Sequence, residues 1–108
     1  MALLDPMAHK IKNMAPIHPG ETLREDFMKP LALTATRLAM DLRIPVTRVN
    51  DIARGKRRIT ADTALRLARY FGTTARFWIN LQSNIELELA EDARGAEIVD
   101  RIRPFRAD

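Results

Sequence analysis

Apolar residues along the chain recur at helical spacing, three to four apart, and the breaks between these runs fall mainly at proline and glycine. Pro19-Gly20-Glu21 predicts a helix start: proline is tolerated in a first turn and Glu21 complements the helix dipole, after which Leu23, Phe27 and Met28 share a face. Pro30 ends that helix. Thr34 then caps a second, in which Leu38 and Leu42 lie one turn apart beside Ala35 and Ala39, residues small enough for close helix approach. Arg43-Ile44-Pro45 breaks the pattern before Val49 and Ile52 resume it, and Pro45 fits only at the start of a third helix, which Gly55 ends.

Thr60 caps a fourth helix with Ala64, Leu65, Leu67, Ala68 and Phe71 expected inward, and Gly72 stops it. Thr73 and Thr74 open a fifth, carrying Phe77, Trp78, Leu81 and Ile85. The stretch Ile85–Leu89 alternates with period two, as a short strand would. Helix continuation is preferred, because Leu81, Ile85 and Leu89 also keep one-turn spacing and no turn residue intervenes. Gly95 is expected to break the chain, with Ile98, Ile102 and Phe105 forming a last short helix that Pro104 ends.

The expectation is an all-α protein with an N-terminal tail over 1–17, a five-helix domain over 18–92 and a C-terminal helical extension over 93–108. The tail has no sustained period and carries two further methionines, Met7 and Met14, of which Met14 is an alternative start. A chain of 108 residues fits one core, and 46% apolar with 30% charged residues is a globular composition. No apolar run approaches the ~20 residues of a membrane span, and the opening segment does not read as a signal peptide. A cytoplasmic location is therefore expected. The absence of cysteine excludes disulfides, thiolate metal sites and a cysteine nucleophile.

Net charge is +4, but its distribution says more. Arg43, Arg48, Arg54, Lys56, Arg57 and Arg58 crowd one short stretch against Asp51 alone, whereas acids outnumber bases from Glu86 onward. Two short helices joined by a tight turn, the second followed by cations, is what a DNA-reading helix-turn-helix requires. Val46, Thr47, Arg48, Asn50 and Asp51 are the candidate base readers. Arg48 matches guanine O6 and N7, Asn50 matches adenine, and the methyls of Val46 and Thr47 match a thymine methyl. Arg37, Arg43, Arg54, Lys56, Arg57 and Arg58 are the candidate phosphate contacts, which set affinity and salt dependence. As an isolated basic run, the loop cations would instead be a solvated surface.

From His18 to about Ala90 the chain resembles the HigA-type antitoxins, lambda-repressor-like helix-turn-helix proteins of toxin–antitoxin modules. The resemblance rests on HPGETLREDFMKPLAL, on ARGKRRITADTALRLARYFG and on TARFWINLQSNIEL. It implies a homodimer that binds double-stranded operator DNA, represses its own operon and neutralises a cognate HigB-like ribonuclease toxin of the RelE type. Two positions depart from the family: it usually has glycine where this chain has Arg43, and serine or a similar cap where it has Pro45. The alternatives are a stand-alone or phage-type repressor with no toxin partner, and a toxin-sequestering module without DNA binding. The N-terminal tail and the acidic region from Glu86 are the two candidate toxin surfaces.

Other chemistry finds little support. His9 and His18 are far apart and lack a companion at ligand spacing, so neither a metal nor a cofactor is expected. Glu21, Glu25 and Asp26 read as a solvated face of an early helix. Ser83, the only serine, has no nearby histidine. No enzyme is expected. Phe77 and Trp78 read as core, with an apolar patch between subunits as the alternative.

Overall fold

A computed structural model describes residues 17–107. The expected tail over 1–17, with His9 and the alternative start at Met14, lies outside the described residues except for Ile17. The described residues form five helices and no strand. The first, α1, begins as an α-helical turn over Pro19–Thr22 and continues as π-helix over Leu23–Met28. Then follow α2 over Ala35–Leu42, α3 over Val46–Ala53, α4 over Ala61–Phe71 and α5 over Ala75–Arg101.

The caps follow from the sequence. His18 Nδ1 accepts from the Gly20 N–H at the start of α1, and the hydroxyls of Thr34, Thr60 and Thr74 accept from the N–H groups of Arg37, Thr63 and Phe77. Gly55 and Gly72 take the left-handed backbone that closes α3 and α4. The turn after α1 closes in the same way on Ala32 and that after α2 on Arg43, at φ 54° and 60°. In both, the flanking bonds are those of a Schellman motif: Ala32 N–H to Lys29 O with Leu33 N–H to Met28 O, and Arg43 N–H to Met40 O with Ile44 N–H to Ala39 O.

Leu23, Leu38, Val49, Ile52, Ile59, Leu67 and Trp78 fill the core, each at most 1% exposed. Full burial of side chains of this size stabilises by about 1.5–3 kcal/mol each. Phe27 bridges two parts of the core, its ring 4.8 Å from that of Phe71 and 5.1 Å from that of Trp78. Trp78 is fully buried and donates its indole N–H to Thr73 Oγ1 at 2.8 Å, so it is core; Phe77, stacked edge-on against it, stays half open to solvent. Leu65 does not point inward. With Thr63, Ala64 and Leu67 buried, the phase of α4 turns Leu65 outward, and it is 63% exposed.

The expected break at Gly95 is absent. α5 runs unbroken through Ile85–Leu89 and Gly95 for 27 residues, about 40 Å at 1.5 Å per residue. No separate last helix forms: Ile98 belongs to α5, Ile102 follows its end in extended backbone, and Phe105 lies outside any helix. The first turns of α5 pack on α4 and the later ones project beyond the core. The radius of gyration is accordingly 17.0 Å, against about 13 Å for a compact domain of this size.

Candidate nucleic-acid interface

The site is built on α2, the turn at Arg43-Ile44-Pro45, and α3. Ala39, 3% exposed, lets α2 approach α3 closely. Pro45 is the N-cap of α3 with φ −63° and ψ 144°; its carbonyl accepts from Arg48 and Val49, but it offers no side-chain cap. Both departures from the family pattern therefore take a definite form: Arg43 adopts the left-handed backbone that glycine would adopt with less strain, and the first turn of α3 lacks one capping hydrogen bond.

Val49 and Ile52 anchor α3 to the core. At its C-terminal end, Gly20 lies against the Ile52 carbonyl, and Arg24 donates from its guanidinium to the Ala53 carbonyl. Arg66 of α4 does the same for α2, donating to the Leu42 carbonyl at 2.8 Å. Each helix of the pair thus has an arginine from a neighbour on a terminal carbonyl, where the helix dipole favours a cation. Nothing local in the sequence marks either arginine, since each looks like an ordinary solvated position within its own helix.

With inward residues at Val49 and Ile52, the period of 3.6 turns Val46, Thr47, Asn50, Asp51 and Arg54 toward the open side. Val46 is 39% exposed, an apolar side chain presented to solvent at the very start of the helix, and Thr47 beside it is exposed too. Asn50 and Asp51 are half-buried one turn further on. Arg48 is half-buried at the flank of this face, about 100° round from Thr47. Four of the five expected readers thus share one face, and Arg48 borders it.

The cations divide by their partners. Arg58 makes two hydrogen bonds to Glu86 of α5, at 2.8 and 3.1 Å, and this contact holds the Glu86 carboxyl below the usual carboxylate range. Gln82 donates to the same carboxylate at 2.8 Å, while its buried Oε1 accepts the Ile59 backbone N–H at 2.9 Å. This chain ties the loop after α3 to α5. Nothing in the periodicity marked Gln82, a polar residue on an apolar face, as its centre.

Arg37 pairs with Asp41 at 2.8 Å, and Tyr70 donates to the same carboxylate at 2.6 Å; the tyrosine first and the arginine second lower the Asp41 pKa. Arg57 is 4.0 Å from Asp51. Among the described residues no ion pair engages Arg43, Arg48, Arg54 or Lys56. No cluster of three or more His, Cys, Asp or Glu that could hold a metal occurs among the described residues. His18 is tied up as a helix cap, and burial lowers its pKa.

Helices α2 and α3 around a tight turn, framed by α1, α4 and α5, define a lambda-repressor-like helix-turn-helix protein. The helix-turn-helix family matches residues 25–78. The chain is 47% identical over 98 residues to virulence-associated protein I of Dichelobacter nodosus, covering 90% of this chain and 89% of that one. Among solved structures it is similar to the Pseudomonas aeruginosa antitoxin HigA with the higBA promoter (46% identity, 84% of this chain and 99% of that one, TM-score 0.81). It is likewise similar to an addiction module antidote protein of the HigA family from Coxiella burnetii (47% identity, 85% and 100%, TM-score 0.80). The chain belongs to the helix-turn-helix family of HigA-type antitoxins.

Proposed function

We propose that the chain binds its own operator as a homodimer, with α3 in the major groove, and neutralises a cognate ribonuclease toxin. The observation that carries the DNA reading is the open face of α3, where Val46 and Thr47 are exposed and Asn50 and Asp51 half-exposed while Val49 and Ile52 hold the helix down. The Pseudomonas aeruginosa relative with its promoter supports it.

In this reading Thr47 and Asn50 contact base edges directly and Arg48 reaches a guanine from the flank. Asp51 accepts from cytosine N4, and Val46 packs on a thymine methyl. Arg43, Arg54, Lys56 and Arg57 contact phosphates, with Arg37 joining them from the first turn of α2. Arg58, committed to Glu86, leaves that set and fixes the loop instead. Toxin neutralisation rests on family membership alone. No catalytic role is assigned to any residue.

Mobility shift against the promoter upstream of the chain's own gene tests the DNA role. Salt-sensitive binding is expected, and Arg48→Ala should weaken operator binding more than random-sequence binding. Equal loss on both would remove Arg48 from the readers; no salt-sensitive binding at all would remove the DNA role. Co-expression with the product of the adjacent gene tests the toxin, a stable complex being the expected result.

A further inference from the structure

Burial decides which side of α3 faces the core, but not how the helix lies along it. Val49 and Ile52 are each 1% exposed, yet apolar contact is non-directional and by itself leaves the tilt and slide of an eight-residue helix open. Hydrogen bonds to the helix ends are directional. Where α2 and α3 close, the carbonyls of Met40 and Ile52 accept the backbone N–H groups of Arg43 and Gly55, whereas those of Leu42 and Ala53 are met by Arg66 and Arg24. Leu42 stands just before the turn into α3 and Ala53 is the last residue of α3, so the two grips bracket the helix. Arg66 also reaches the Arg43 carbonyl at 3.5 Å, beside a helix start whose N-cap, Pro45, has no side-chain bond to offer.

The two arginines are built alike. Arg66 donates Nε to Asp62 of its own helix at 2.8 Å and Nη1 to the Leu42 carbonyl. Arg24 donates Nε to its neighbour Glu25 at 2.9 Å and Nη1 to the Ala53 carbonyl. Lys29 holds Glu25 in turn, at 3.0 Å. A carboxylate on the arginine's own helix thus fixes the guanidinium plane, and the rigid fork carries that orientation to the end of another helix. A lysine in the same place supplies the charge without the fork.

We infer that Arg24 and Arg66, braced by Glu25 and Asp62, are positioning residues that set the pose of α3 and with it the choice of operator sequence, without touching DNA. The inference rests on the DNA reading above and places a determinant of sequence choice outside the groove.

Competition binding of the full chain to its own promoter and to random-sequence duplex, well below Tm, tests it. Arg24→Lys and Arg66→Lys should each lower the ratio of operator to random affinity by about fivefold or more, the lower end of what one good base contact discriminates. Both keep the charge, so random-sequence affinity and salt slope should stay near wild type. Glu25→Gln and Asp62→Asn, which leave the arginines in place but unbrace them, should move the ratio in the same direction. Ile85→Val, a buried change on α5, should lower Tm and leave the ratio intact, which separates positioning from stability. Unchanged ratios in both lysine variants, whatever happens to Tm, would overturn the positioning role and leave the DNA reading standing. A wild type with no operator preference would overturn both.

Discussion

Gly20 sits so close beneath the carbonyl of Ile52 that a β-carbon at residue 20 would come within 1.8 Å of the oxygen. The obstacle is backbone, which cannot rotate aside as a side chain would. Helix propensity alone favours Gly20→Ala, yet the structure demands the opposite sign. We expect Gly20→Ala to destabilise the protein at the upper end of the ~1–3 kcal/mol typical of overpacking, read as a lower urea midpoint. An unchanged midpoint would mean that α1 does not approach α3 so closely.

Ala32 offers the converse experiment. It holds a left-handed backbone at φ 54° in the Schellman turn after α1, a conformation that costs a non-glycine residue about 1–2 kcal/mol. Glycine removes that strain and returns part of the gain as greater freedom of the unfolded chain. Ala32→Gly should therefore stabilise by about 0.5 kcal/mol, seen as a small rise in Tm. Arg43→Gly should behave similarly in stability while removing a cation from the DNA face, so its effects on Tm and operator affinity should have opposite signs.

Lys56 and Arg58 are two residues apart in one basic loop but have different partners. Removing Lys56 should weaken binding to every sequence alike and lower the salt slope by about 1. Arg58→Ala should leave the slope close to wild type, because Glu86 already engages its guanidinium. The Arg58–Glu86 pair is largely exposed and screened by solvent, so its loss should change stability little. Equal salt slopes for the two variants would contradict the division.

His18 makes stability depend on pH. Its neutral Nδ1 accepts the Gly20 N–H, and burial lowers its pKa below 6.5. As pH falls through 6.5 the unfolded chain takes up the proton first, so folding is progressively disfavoured until the folded state protonates as well. The His18 contribution is thus complete above 6.5 and lost below it. His18→Asn keeps a capping acceptor that does not titrate in this range and should flatten the slope of unfolding free energy between about pH 5 and 7.

The helices were legible because their boundaries are punctuated. Thr34, Thr60 and Thr74 announce starts, Gly55 and Gly72 announce stops, and Pro45 admits only one placement, so the pair around Arg43 could be drawn from the chain alone. Gly95 carried the same stop signal and failed, since a long helix tolerates one glycine at a cost of about 1 kcal/mol. Leu65 misled for another reason: hydrophobicity says what a side chain prefers, whereas Ala64 and Leu67 decide where α4 turns it. The π-helical stretch over Leu23–Met28 and the grip of Arg24, Arg66 and Gln82 on distant backbone depend on how helices far apart in sequence meet, and no local pattern encodes that.

Trp78 gives the molecule an internal optical reporter. It is the chain's only tryptophan, wholly enclosed among Phe27, Phe71 and Phe77, with its N–H bound to Thr73. Its emission should be blue-shifted in the native state and move to the red as the core opens, so one fluorophore follows unfolding of the whole helical frame. Because it lies in the core and not on the open face of α3, a titration with DNA should leave that emission nearly silent, allowing melting and binding to be followed separately in the unlabelled protein.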